Sequence, residues 1–289
     1  MTLVDAHVHV WDTRVGCYAW LEGTAVNRPM LPAEYSHGGT QSSGAIFVQA
    51  ADDGSDPVAE ARWVSGLDWP ELVGIVAGAD LGRSSADVAA QLDDLTAIGK
   101  VVGVRHLLQD TPTDRFPAIA EGLRIVASRG LTFDACVRHG QLPALTALLE
   151  SAPQLTVVLD HVGKPPVDEG IESVMGSAWA GALTDLAARP RTYVKLSGLT
   201  AESQHPDAFN RHVDAFLEYA LNAFGPERAM IASDWPVSTY FGVGGSFEEW
   251  VARVRRMVPD TAWPAVSTQT ALRAYVPFGG APTGLDRTA

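Results

Sequence analysis

The chain has 289 residues, 46% of them hydrophobic, and its 21 Lys and Arg against 34 Asp and Glu give a formal net charge of −13. That length and apolar content can bury a large core without staples. The negative field argues against nucleic acid or an anionic membrane as partner, though not against a small anionic substrate met by a local cluster of Arg and His.

Cys17 and Cys136 form no Cys-x-x-Cys pair, so neither a disulfide framework nor a thiolate zinc site is implied. The N-terminus has no basic and apolar leader, and no apolar run approaches the roughly 20 residues of a membrane helix; a cytoplasmic protein is expected.

The first apolar run, Leu3–Val10, contains Asp5-Ala6-His7-Val8-His9. On a strand, side chains two apart share a face, so His7 and His9 would converge. Residues 11–44 form a long first loop with Pro, Gly and aromatic residues, a possible lid. Seven more β-rich runs follow: Ala45–Gln49, Leu72–Ala77, Val101–Leu107, Thr132–Val137, Thr156–Val162, Thr192–Leu196 and Ala229–Ser233.

Helical spacing fills most of the gaps between them. Pro57–Gly66 carries Val58, Ala61 and Val64. Ser84–Ile98 has Ser84 or Ser85 as cap and a stripe of Val88, Leu92, Leu95 and Ile98. Phe116–Arg129 stops at Gly130, and Gln141–Ser151 stops before Pro153. Ala178–Ala188, Phe209–Phe224 and Phe247–Met257 repeat the pattern.

Strand–helix alternation eight times over in one chain predicts a single TIM (β/α)8 barrel spanning 1–289, with 277–289 as a C-terminal tail. A doubly wound open sheet is the rival, but the first strand runs into His-Val-Trp-Asp where a dinucleotide turn would need glycines.

Barrel enzymes place reactive groups at the C-terminal ends of strands. Here those ends carry His7 and His9, Arg105-His106, Arg138-His139, Asp160-His161, Lys195 and Ser233-Asp234-Trp235. His7, His9 and His161 offer imidazoles to a divalent ion, with Asp234 as a further ligand or as the group holding a water on it. The bland alternatives are satisfied core histidines and an Asp that caps the following segment.

Arg105 and His106 alternate, so one faces the barrel; His106 is favoured as the inward, catalytic group, with Arg105 over the rim or in a structural ion pair. Arg138 and His139 pose the same choice. Lys195 reads as a rim cation for substrate or as an outer salt bridge. Trp11, Trp20 and Trp235 are pocket candidates, Trp20 equally a core residue. Lys164 reads as loop surface, and His37, His205 and His212 as bland. There is no Gly-x-Ser-x-Gly elbow and no phosphate loop.

Asp5-Ala6-His7-Val8-His9, Val104-Arg105-His106, Leu159-Asp160-His161-Val162-Gly163-Lys164-Pro165 and Ser233-Asp234-Trp235-Pro236 resemble the amidohydrolase superfamily, and within it the lactonase branch. The resemblance runs from residue 3 to about 276 and includes Tyr193-Val194-Lys195-Leu196-Ser197-Gly198-Leu199. It implies a distorted barrel that opens a cyclic ester, a sugar-acid or dicarboxylate lactone, with His7, His9, His161 and Asp234 as site positions. The implied cofactor is one divalent metal, zinc, although the branch also includes a metal-free type in which the same histidines polarise the substrate. The bridging lysine of dinuclear relatives has no counterpart at the end of strand four, so one ion or none is expected. Asp234 would act as base and then acid. His106, with Arg105 or Arg138, would hold the oxyanion or a substrate carboxylate. Lys195, Trp11 and Trp235 complete the expected substrate contacts. The alternative is a non-oxidative decarboxylase of an aromatic or enoic acid in the same superfamily; a non-enzymatic scaffold would leave the strand-end cluster unexplained.

Overall fold

The computed structural model describes residues 3–35, 42–51 and 55–275. The expected tail at 277–289, His37 and part of the first loop lie outside the described residues. Among those described, eight strands pair in parallel in chain order: β1 Val4–Val8, β2 Gly44–Val48, β3 Leu72–Gly78, β4 Val101–Arg105, β5 Thr132–Ala135, β6 Val157–Leu159, β7 Thr192–Leu196 and β8 Ala229–Ile231. The ring closes where His9 N donates to Trp235 O (2.7 Å) and Asp234 N to His7 O (2.9 Å), beside a bridge between Val8 and Trp235. This is the (β/α)8 barrel that the alternation predicts, and each apolar run contributes its strand.

The helices are α1 Pro57–Ser65, α2 Ser85–Thr96, α3 Ala120–Ser128, α4 Leu142–Leu149, α5 Val174–Ala187, α6 Pro206–Phe224, α7 Val237–Tyr240, α8 Phe247–Met257 and α9 Thr270–Tyr275. Local chemistry sets their ends. Ser84 Oγ accepts from Asp87 N (3.2 Å) to start α2, which buries Val88, Leu92 and Leu95. Ser246 and Glu249 cap each other's backbone at the start of α8. The run from Phe116 gives a shorter α3 than its periodicity suggests. Thr113–Ile119 is a 3-10 turn containing Pro117, whose missing N–H breaks the α-helical ladder.

Two cores result. The larger packs the outward faces of the strands against the helices. The smaller joins Val4, Ala6, Ile46, Val48, Val76, Val158, Met230 and Ala232 from the strands to Ala271, Ala274 and Tyr275 of α9. Since no other helix contributes buried residues to it, this second cluster is the lumen, closed from below by α9. That helix, entered through a π-helical stretch at Ala265–Gln269, is absent from the periodicity reading because its small residues make no apolar stripe. No helix among the described residues is long and apolar enough to cross a membrane.

Behind β2, the side chain of Glu60 on α1 is buried and its Oε1 accepts from Ala50 N (3.0 Å) and Ala51 N (2.7 Å). It pins the turn that leads off β2. Burial pushes its carboxyl up to about 7 from 4.5, against the opposing pull of those N–H groups and of Arg105. A raised folded value means a stabilising contribution that is complete below pH 4.5 and lost as pH climbs through 7. Glu60→Gln removes that dependence. Between pH 4 and pH 8 the difference in unfolding free energy should shift in the variant's favour by about 3 kcal/mol, read by urea denaturation at each pH. A pH-independent difference would contradict the assignment.

Candidate active site

At the C-terminal end of the barrel, side chains from β1 and from the ends of β6 and β8 converge. The β1 register slips between Asp5 and Val8. His7 Nε2 and His9 Nε2 lie 3.0 Å apart. Asp234 Oδ1 stands 3.7 Å from His7 Nε2, 3.5 Å from His9 Nε2 and 3.7 Å from His161 Nε2.

Every imidazole is held from its other nitrogen. His9 Nδ1 donates to Val48 O (2.8 Å), His161 Nδ1 is 3.0 Å from Ser197 Oγ, and His7 Nδ1 lies 2.9 Å from Lys195 Nζ and 3.2 Å from Asp160 Oδ1. Ser238 Oγ donates to Asp234 Oδ2 (2.7 Å), so Oδ1 is the oxygen that meets the histidines.

The backbone is bent to achieve this. His161, Val162, Gly163 and Lys164 take φ of 52°, 55°, 69° and 50°, a left-handed turn, and Asp234 sits at 55°. Such a conformation costs about 1–2 kcal/mol per non-glycine residue. Trp179 Nε1, buried on α5, donates to Val162 O (2.9 Å) and holds the turn. Gly198 matters too, because a Cβ there would collide with the His161 ring.

Below the histidines lies a buried ionic cluster. Lys195 Nζ is 2.5 Å from Asp134 Oδ2 and 2.9 Å from Asp160 Oδ1, and Tyr275 OH donates to Asp134 Oδ2 (2.8 Å). Burial alone would lower the lysine's pKa, but the two carboxylates raise it above the ordinary value. Burial and Lys195 hold His7 well below its usual range, and burial lowers His161, so both rings are neutral imidazoles with a lone pair to offer. Burial would raise the Asp234 carboxyl, yet His161, His9 and His7 bring it below the usual range, leaving it ionised.

The donor set fits a metal ion. Zinc binds His and carboxylate at about 2.0–2.2 Å, which sets tetrahedral donors roughly 3.3 Å apart. The separations of 3.0, 3.5 and 3.7 Å among His7, His9 and Asp234 bracket that value, and these three form one cluster of ligand atoms; His161, 3.7 Å from Asp234, belongs with His7 and Asp160 to a second, adjoining cluster.

The site opens into a cavity of about 450 Å³, lined in part by His9, His161, Asp234, Arg105, Lys164 and Glu202. The structure reverses the expected order at the end of β4. Arg105 is the inward residue, its guanidinium bonded to Gln49 O and 3.8 Å from Asp160 Oδ2. His106 turns to a neighbouring cavity, with Nδ1 against Ala79 O at 3.0 Å, because strand β4 ends at Arg105 and the chain bends away.

Lys195 is not a rim cation; it is fully buried, drawn inward by Asp134 and Asp160. Arg138 is half exposed and does not itself line the cavity, but it pairs with Asp110, which does. Trp11 is core, its Nε1 donating to Arg28 O (2.9 Å), and Trp235 is buried against Tyr35; neither lines the cavity, whereas Trp20 does. Lys164 is not loop surface; the left-handed turn carries it into the cavity wall. No periodic signal marks that turn, although Asp-His-x-Gly-Lys-Pro with its central glycine is where one could be sought.

Residues 4–275 match the family model described as amidohydrolase. The chain is 31% identical over 259 residues to an L-fucono-1,5-lactonase of Burkholderia ambifaria, covering 86% of this chain and 85% of that one. It is 29% identical over 167 residues to an L-rhamnono-gamma-lactonase of Scheffersomyces stipitis, 52% and 50% of the two chains. Among solved structures, an amidohydrolase from Burkholderia multivorans with bound zinc superposes with a TM-score of 0.82 at 29% identity, over 95% of this chain and 99% of that one.

The ionic cluster makes a direct prediction. Lys195→Met leaves Asp134 and Asp160 facing each other in the lumen, and urea denaturation should read a loss of about 3–5 kcal/mol. Adding Asp134→Asn should recover part of it. A single variant as stable as the parent would mean that the carboxylates do not need the ammonium.

Proposed function

The chain belongs to the amidohydrolase family, and on that premise we propose that it is a lactonase: it hydrolyses the ester bond of a cyclic ester to give a hydroxy acid. The observation that carries the reading is the approach of three imidazole Nε2 atoms to Asp234 Oδ1, with His9, His161 and Asp234 lining one cavity and each imidazole anchored from behind. The lactonases among its relatives support the substrate type.

His7, His9 and His161, with Asp234, would hold a single divalent ion, and this nitrogen-and-carboxylate set suits zinc. Bound there, the ion supplies Lewis-acid polarisation of the lactone carbonyl. The protein's own groups do the rest. Asp234, ionised and at the cavity wall, takes a proton from water as the water oxygen bonds to the carbonyl carbon. When the ring C–O bond breaks, the same carboxyl returns the proton to the leaving alkoxide. Arg105, held by Gln49 and facing the cavity, is the cation placed to stabilise the oxyanion. His106, Lys195, Trp11 and Trp235 stand away from that cavity, whereas Arg138 reaches its edge through Asp110. The whole chain is proposed to be one catalytic domain.

Asp234→Asn should lower lactone turnover by about 10²–10⁴-fold, measured by acid release with a pH indicator, while the melting temperature stays near that of the parent. Undiminished turnover would eliminate Asp234 as the base. Elemental analysis of untagged protein should find one zinc per chain, and a chelator should abolish activity until zinc is restored. Full activity in protein free of metal would assign carbonyl polarisation to the histidines and Arg105. Carbon dioxide release from hydroxybenzoates, with no acid release from any lactone, would replace the reading by decarboxylation.

A further inference from the structure

We propose that the Lys164–Glu202 ion pair is the specificity-determining element of this site: it grips two neighbouring ring hydroxyls of a neutral lactone and turns away lactones that carry a carboxylate. The inference rests on the lactonase reading above and deepens it.

Geometry is the first argument. Lys164 closes the left-handed turn that begins at His161, with Lys164 N donating to His161 O (2.8 Å). The same bend that aims His161 at Asp234 therefore sets the lysine in the cavity wall. Its Nζ lies 2.7 Å from Glu202 Oε1, on the loop after β7, and the two side chains are 13% and 22% exposed. They are largely withdrawn from water but keep an edge on the cavity.

The pair is also fixed in place. Asp168, downstream of Lys164 in the loop after β6, accepts from Ser203 Oγ and from Gln204 N (3.1 Å), the two residues that follow Glu202. The loops bearing the partners are thus tied together before any ligand arrives. Preorganised polar groups bind without the entropy cost of assembling them.

Chemistry is the second argument. An ammonium has three N–H donors, and one serves Glu202; a carboxylate has a second oxygen that accepts. Donor and acceptor side by side match a vicinal diol, in which one hydroxyl accepts and its neighbour donates. Trp20 and Phe241, also in the wall, offer apolar surface to the C–H face of such a ring.

Charge is the third. Of the two cations in the wall, Arg105 is held by Gln49 and assigned to the oxyanion, and Lys164 is paired with Glu202. Asp110, Glu202 and Asp234 share that wall. A substrate carboxylate therefore finds no cation there left free to pair with it, and one placed beside Lys164 would have to compete with Glu202.

The experiment compares kcat/KM for a polyhydroxylated neutral lactone and for a lactone of the same ring size bearing one carboxylate, both in the same enzyme preparation. Their ratio cancels the folded fraction. The parent should prefer the neutral lactone. Glu202→Gln keeps the size of the side chain, frees the lysine's charge and should lower the ratio by at least about tenfold, with a gain on the carboxylated lactone. Lys164→Met should raise KM for the neutral lactone by about tenfold and change kcat far less. A parent that prefers the carboxylated lactone, a Glu202→Gln ratio within twofold of the parent's, or an unchanged KM in Lys164→Met overturns the proposal while lactone hydrolysis stands. A parent that opens no lactone at all overturns the lactonase reading itself, and this inference with it.

Discussion

The ammonium of Lys195 is the point around which the rest of this site is arranged. It sits inside the barrel with no access to solvent, touching carboxylates from β5 and from the end of β6 and the first histidine of β1. Neither the ammonium nor the two carboxylates are tolerable there alone, since an unpaired buried charge costs several kcal/mol. Together they satisfy one another and fix the strand ends from which they come. His7 inherits its orientation from this cluster. His9 and His161 take theirs from Val48 O and Ser197 Oγ, and Asp234 from Ser238, so that the reactive atoms face one another while the opposite atoms are bound from behind.

That division into an anchored side and an exposed side explains why the backbone can be held in unfavourable conformations. The left-handed stretch from His161 to Lys164 would relax to an ordinary turn in a free peptide. Here the Trp179 hydrogen bond to Val162 O and the close fit of the His161 ring over Gly198 leave no room to relax. The strain is local and supports both the approach of His161 to Asp234 and the placement of Lys164 in the cavity wall.

Much of this was legible in the amino-acid sequence, for identifiable reasons. The strands are short apolar runs rich in β-branched residues, and the barrel follows from their number and alternation with helices. Reactive residues at strand ends follow from the architecture, which is why His7, His9, His161 and Asp234 could be grouped despite their separation along the chain. Side-chain direction was harder. At Arg105 and His106 the outcome depends on where β4 stops, and a one-residue difference exchanges the two faces. Lys195 lies on the lumen side of β7, but only the carboxylates of Asp134 and Asp160 decide that a lysine stays in rather than reaching for the rim. Lys164 was hidden by a run of positive φ at non-glycine residues, which no periodicity encodes. The small-residue helix α9 lacks the stripe by which helices are recognised.

That last helix has a consequence for the life of the protein before it is finished. Tyr275 reaches through the bottom of the barrel to Asp134, and β1 meets the segment after β8 at Trp235. The reactive centre is therefore written across almost the whole length of the described chain, from His7 to Tyr275. During synthesis on a ribosome His7 and His9 emerge first, yet Asp134, Asp160, Lys195 and Asp234 follow one by one. No nascent fragment owns the full set of converging side chains or a neutralised lumen, so the proposed site is assembled late, with final closure of the barrel.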